Sequence, residues 1–279
     1  MIVDTHNVNS ARLQRLSEGF GRFDPRRYVL KDQARLSLSF EGRYVAASAQ
    51  TWAVSRSDAD VLTRDLSAQR SKIRIIENGS RFPDQLSPWN EPSGQLRLLF
   101  FGSLNYSANV DGIRNALDWM SAVPEALSIQ LDIAGSGDGR EVQKLVEDAP
   151  HANFIGKVSD PRTLFAHYDA LLVSLRQGAG SRLKVVEAAS AGLPILSTSM
   201  GIEGFPLVDG THYLKVEDSS EFVALVGSLV ANPRTLDEVR SQAFAALMSL
   251  SWDAIGVRAR QGVSAVAGHS ASDGRTEEL

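Results

Sequence analysis

Between residues 170 and 205 the chain alternates short apolar runs with a glycine turn and one amphipathic segment, and the remaining pattern is arranged around that stretch. The run 170–175 (ALLVSL) has the length of a buried strand. Gly178-Ala179-Gly180 makes a turn, and residues 181–191 set Leu183, Val186, Ala189 and Ser190 on one side of a helix. Gly192 closes that helix, Pro194 forbids its continuation, and Ile195-Leu196 begins the next strand. On either side the same rhythm recurs. Strands are predicted over 96–101, 129–134, 153–155 and 213–216, and helices over 108–123, 140–147, 161–167 and from Ser219 or Ser220 to 230. Strands alternating with helices over short loops predict a Rossmann-like parallel sheet with helices on both faces, an α/β class. Ligands of such sheets bind at the carboxyl ends of the strands, where loops bearing Gly102, Gly135, Gly156 and Gly178 to Gly180 converge.

The front of the chain reads as a smaller, incomplete Rossmann-like layer. Strands are predicted over 1–3, 51–54 and 73–76, and helices over 8–18, 26–49 and 58–66, the last capped by Ser55 or Ser57. The long helix draws its apolar pattern from Tyr28, Leu30, Leu36, Leu38, Phe40, Tyr44 and Val45. Three short parallel strands leave edges and a face to be covered. Glu77-Asn78-Gly79 is a turn, and Pro83, Pro88, Pro92 and Gly94 mark a linker. After the central sheet, Pro233 starts a helix to about residue 250, and Ser251-Trp252 opens another to 266. Residues 268–279 are polar, Gly/Ser-rich and predicted to be disordered. The expected organisation is therefore 1–94, 95–250, a helix over 251–267, and a tail.

Composition narrows the chemistry. A formal net charge of −4 and an isoelectric point near 5.8 argue against a nucleic-acid partner, which favours a basic surface. The absence of cysteine excludes disulfides, thiol nucleophiles and thiolate metal sites, and is compatible with a cytoplasmic location. His6, His151, His167, His212 and His269 are scattered without paired ligand spacing, so no metal or cofactor is expected. No apolar run approaches the length of a membrane span, although peripheral membrane contact stays open. Neither a nucleophile-elbow serine motif nor a P-loop is present.

The candidate site is the start of the helix after the Gly178-Ala179-Gly180 turn. There the amides of Gly180, Ser181 and Arg182 would point outward, and the helix dipole favours an anion. Arg182 and Lys184 oppose that dipole, so their placement points to a bound phosphate rather than to helix stability. Glu187 lies two turns beyond Gly180 on the same face and offers a carboxylate to sugar hydroxyls. Surface charges beside an ordinary glycine turn are the competing reading. The loop from Gly135 to Gly139 matches a dinucleotide fingerprint in form, yet it lacks the acidic residue expected at the end of the next strand, and a plain tight turn explains it as well.

The stretch GAGSRLKVVEAASAGLPILSTSMGIEGF resembles the donor-site signature of retaining glycosyltransferases with two facing Rossmann domains, the GT-B fold. That signature has two Glu residues separated by seven positions, followed by small residues, Gly and Pro. Glu187 matches the second Glu, which by resemblance contacts the donor ribose, and Ala179 stands at the first. A branch of the family reading G-x-G-[ST]-R-x-K before the Glu fits Gly178 to Lys184. The resemblance implies hexosyl transfer from a UDP- or GDP-sugar to a glycan, lipid or small-molecule acceptor, with retention. It assigns Arg182, Lys184 and Glu187 to the chemistry and Gly178, Ala179, Gly180 and Ser181 to donor binding. Gly102-Ser103 resembles the loop near the donor diphosphate, Gly135 a loop near the nucleotide, and Gly156-Lys157-Val158 the loop that meets the nucleobase edge. A solvent-facing turn at Lys157 is the simpler alternative.

The same resemblance makes residues 1–94 the last part of an acceptor-side domain, so the chain is expected to be truncated at its N-terminus. A nucleotide-sugar epimerase of this fold would want acidic residues in the cleft, and Ala179 weighs against it. A non-catalytic or partner-dependent nucleotide-sugar-binding half of a GT-B protein is the alternative reading.

Overall fold

The computed structural model describes residues 1–177 and 182–273, with side chains as far as residue 267. The chain divides into two compact units. One comprises Met1–Asn78 with the segment from Trp252 onward, and the other comprises Gly79–Gly178 with Arg182–Ser251.

The first unit is a three-stranded parallel sheet in the order β1 (Ile2–Thr5), β2 (Gln50–Ala53), β3 (Ile73–Ile75). Helices α1 (Asn9–Glu18) and α2 (Pro25–Ala47) join β1 to β2, and α3 (Arg56–Asp65) joins β2 to β3. Ser55, not Ser57, caps α3 by accepting from Asp58 N at 3.0 Å. Its core is small: Val8, Val45, Ala53, Ala59, Val61, Leu62 and Leu66 are buried together. The apolar pattern expected to bury α2 does not do so. The helix buries Ala34 and Val45 and leaves Tyr28, Leu36, Leu38, Phe40 and Tyr44 exposed. Its partner is the ten-residue α1, whose own buried residues are Ser10 and Ser17, so it covers only a narrow stripe of a 23-residue helix.

The second unit is built on a six-stranded all-parallel sheet among the described residues. In chain order its elements are β4 (Leu96–Phe101), α4 (Ser107–Ser121), β5 (Ile129–Ala134), α5 (Arg140–Glu147), β6 (Ala152–Gly156), α6 (Pro161–Phe165), β7 (Ala170–Val173), α7 (Leu183–Ala191), β8 (Ile195–Ser197), β9 (Leu214–Lys215), α8 (Ser219–Ala231) and α9 (Arg234–Leu247). The strand order is β6-β5-β4-β7-β8-β9. The inner strands β4, β5, β7 and β8 are mostly buried on both sides, as a doubly covered parallel sheet requires, whereas the edge strands β6 and β9 are only partly covered. Leu96, Leu98 and Phe100 of β4 face a core with α4, α5 and α8, while Leu99 faces the opposite core with α6 and α7. Asp218 caps α8 through Ser220 N and Glu221 N, both at 2.9 Å, in place of the serines expected to do so.

The proline-bearing stretch before β4 is strapped to this unit. Phe82 and Trp89 pack on its two cores, and the Arg240 guanidinium donates to Ser87 O at 3.1 Å. The boundary between the compact units falls at Asn78–Gly79, so this stretch groups with the second unit. The last helix, α10 (Trp252–Asp273), runs past the 266 expected from the sequence, since no proline follows Trp252 to stop it. Its Arg258 donates to Glu77 at 3.1 Å, and Gly262 lies where a Cβ would sit 2.9 Å from Gln50 Oε1 and 3.2 Å from Trp52, within the first unit. Residues 274–279, part of the predicted tail, lie outside the described residues.

Candidate functional site

Two neighbouring strands whose crossovers leave in opposite directions open a crevice between their carboxyl ends. In the second unit that switch point lies between β4 and β7. The loop after β4 contains Gly102 and Ser103, and the segment after β7 leads into α7. Ser174 anchors the end of β7 to α4. Its Oγ donates to Gly112 O at 2.6 Å, and its carbonyl accepts from Asn115 Nδ2 at 3.1 Å.

Glycines let the loops at this end close on each other. Gly102 N donates to Ala134 O at 3.2 Å, Gly135 N to Gly156 O at 2.8 Å, and Leu104 N to Ser136 O at 2.7 Å. A Cβ on Gly135 would stand 1.7 Å from Gly102 O, so only glycine fits there. Gly156 has a φ of +75°. Thus the predicted Gly102, Ser103, Gly135 and Gly156 share one edge of the sheet. Lys157 is exposed and Val158 packs partly on the core around α6 and α7. The predicted Gly178, Ala179, Gly180 and Ser181 lie outside the described residues.

Helix α7 begins at Leu183 with Arg182 as its N-cap, later than the sequence pattern implies. The outward amides are consequently those of Leu183 and Lys184, while Val185 N already donates to Arg182 O at 2.8 Å. The helix buries Val185, Val186, Ala188, Ala189 and Ser190, a wider face than the predicted stripe, because helices flank it in a two-sided layer.

Arg182 is 5% exposed. Its Nε donates to Met200 O at 3.4 Å, and its Nη2 lies 3.9 Å from the exposed Glu203 carboxylate. The Lys184 ammonium has different partners. Its Nζ donates to Asn109 Oδ1 at 2.9 Å and stands 4.8 Å from the Phe100 ring centroid. A Cβ on Gly102 would meet this ammonium at 2.9 Å and Asn109 Nδ2 at 2.8 Å, so the glycine makes room for both. Burial, and secondarily the Arg182 charge, lower the Lys184 pKa to about 7, with Glu187 opposing the shift. Burial raises the Glu187 pKa, and Lys184 lowers it in part. Of the three residues predicted to carry the chemistry, Lys184 thus feels the charges of both Arg182 at the N-cap and Glu187 at the middle of α7. Sequence reasoning does not single out Asn109 or the Phe100 face. The former is one polar position in a helix and the latter an ordinary core aromatic.

Among the described residues, no cluster of three His, Asp or Glu side chains is placed to hold a metal ion. No helix among them is long and apolar enough to cross a membrane.

The glycosyl transferases group 1 family matches residues 95–232, which span β4 to α8. The match covers 138 of the 279 residues, and over this segment the chain is similar to that family. Among the curated proteins none matches it. Solved glycosyltransferase-related structures share its fold. HepE of Anabaena, solved with UDP and glucose, matches with a TM-score of 0.69 at 13% identity, covering 95% of this chain and 71% of HepE. WaaG, a glycosyltransferase of lipopolysaccharide biosynthesis, matches at 0.71 and 17% identity, covering 94% and 73%. Sucrose-phosphate synthase from Thermosynechococcus elongatus matches at 0.73 and 16% identity, covering 96% and 68%. At such low identities these matches show a shared fold alone, and the substrates are argued from this chain's own residues.

Proposed function

We propose that this chain moves a hexose from a UDP- or GDP-sugar to a glycan, lipid or small-molecule acceptor with retention, and that its second unit binds the donor. The observation that carries the reading is the Lys184 ammonium, held in the switch-point crevice by a neutral amide and an aromatic face. A diphosphate approaching there meets that charge, the Arg182 guanidinium, and the amides of Leu183 and Lys184 together. HepE structures that contain UDP and UDP-glucose support a nucleotide-sugar donor for this fold.

In the proposed reaction the bond between the anomeric carbon and the donor phosphate breaks. A bond to the acceptor oxygen forms on the same face, and the acceptor proton passes to the leaving phosphate. Charge grows on the diphosphate as it departs, and groups fixed in advance around it lower the barrier without reorganising. Glu187 accepts hydrogen bonds from the ribose and so holds the anomeric carbon in place. Gly178, Ala179, Gly180 and Ser181 belong to the proposed donor loop, and Gly156, Lys157 and Val158 to the base-facing edge. No metal or cofactor takes part.

Nucleotide release from UDP- and GDP-sugars, with and without acceptors, tests the reading. Release confined to added acceptor is expected. Binding without release would make the chain a nucleotide-sugar-binding protein.

The proposal includes a cytoplasmic location with peripheral contact to an anionic lipid surface through the α1–α2 hairpin. Residues 9–47 carry eight basic and four acidic side chains in a chain of net charge −4. Its α2 also exposes Val29, Leu36, Phe40 and Tyr44 along one side, an apolar stripe beside positive charge. Co-sedimentation with vesicles of phosphatidylcholine and phosphatidylglycerol, reduced by salt and by the double change Leu36→Ser and Phe40→Ser, is the expected result. Self-association without vesicle binding would assign the stripe to a second copy instead.

A further inference from the structure

We propose that Asn109 is a positioning residue that ties the Lys184 ammonium to the Gly102–Ser103 loop and aims it at the donor diphosphate. This rests on the donor reading above. Asn109 sits on α4 and is only 5% exposed. Its Oδ1 accepts from Lys184 Nζ at 2.9 Å, and its Nδ2 donates to Ser103 O at 2.8 Å. The orientation of the amide is set by chemistry, because an ammonium only donates and a carbonyl only accepts. One side chain thereby joins the loop after β4 to the first turn of α7, across the two strands that define the switch point.

The chemistry of the pair suits an anion site. Among the described residues, Lys184 spends one of its three N–H groups on Asn109, and its partners there are an amide and a ring. Neither neutralises the charge, as a hydrogen-bonded carboxylate would. The amide oxygen favours the charged form of an amine that burial otherwise discourages. An aspartate at 109 would pair with the lysine, cancel its charge and repel the Ser103 carbonyl. An aliphatic residue would take away the ammonium's amide partner in a buried place and leave Ser103 O with the long bond from Tyr106 N at 3.4 Å. Asn meets both demands and leaves the cation available.

The test combines UDP affinity by calorimetry with titration of the Lys184 side chain by NMR in labelled protein, for wild type, Asn109→Ala, Lys184→Met and the double variant. In Asn109→Ala, UDP affinity should fall about tenfold, the worth of a hydrogen bond to a charged group, and the lysine should titrate at lower pH. In the Lys184→Met background the Asn109→Ala penalty should vanish, a coupling that general damage to the fold would not produce. Asn109→Asp, nearly the same shape, should raise the lysine titration while still weakening UDP. It carries the test if the alanine variant does not fold. Unchanged UDP affinity and an unchanged lysine titration in a folded Asn109 variant overturn the proposal, as do penalties that simply add. A wild type that binds neither UDP nor GDP overturns the donor reading, and this proposal with it.

Discussion

At the scale of residues, the site is a contest between burial and charge. Arg182 and Lys184 are close enough for the arginine to push the lysine pKa down, yet they face different partners, the loop carrying Met200 and Glu203 and the loop carrying Gly102. A bound diphosphate would bridge that division. Replacing Arg182 or Lys184 with Ala should each weaken UDP binding by about tenfold or more, about 1.4 kcal/mol, measured by calorimetry. Unaltered affinity in the double variant would remove the site. The lowered Lys184 pKa also sets a pH dependence. Its free-state value lies at about 7, and an anion raises it. Above that pH, binding must take up a proton, so UDP affinity should fall as pH rises from about 7 to about 9. Lys184→Met should flatten this profile. Glu187, whose carboxyl is raised by burial, should matter less for UDP than for discrimination of ribose from deoxyribose, testable with dUDP.

Elements place these residues through backbone contacts that tolerate little change. The ends of β4 and β5 touch at Gly102 and Gly135, and a methyl group on Gly135 would have to displace a carbonyl. Gly135→Ala should cost about 1–3 kcal/mol by overpacking, visible as a lower Tm. It should also weaken UDP binding, because the Gly102 loop must shift. Gly21→Ala is the control, since its Cβ meets nothing within 4 Å. The helix periods that locate α4 and α7 are readable from local sequence. Their neighbours are not, because strand order rather than chain order puts β7 beside β4.

On the scale of the whole molecule, the two units differ in what holds them. The second buries two continuous cores on the faces of its sheet, whereas the first gathers seven buried apolar residues. Stability follows buried apolar area, so the weaker unit should open first. Hydrogen exchange should show the amides of Leu99 and Leu171 outlasting those of Val3 and Trp52. Calorimetry should resolve two transitions, and UDP should raise only the later one, by about 2.7 kcal/mol at a hundredfold excess over Kd. A single transition raised as a whole by UDP would show that the units unfold together.

Sequence alone determined the class of fold and most of the second unit. The strands of residues 96–101 and 129–134 and the helix of 140–147 occupy the residues the pattern assigns them. Apolar runs, helical period and Gly or Pro punctuation act within a few residues of one another, so they survive without tertiary context. The exposed face of α2 is not legible in its pattern, because periodicity marks apolar positions but not which partner is long enough to cover them. The start of α7 moved to Leu183 for a related reason, since Arg182 takes the cap itself and engages Met200. Tertiary structure alone decided that Asn109 and Lys184, 75 residues apart, meet at one crevice. That meeting depends on two strands becoming neighbours, and no local spacing encodes such a pairing.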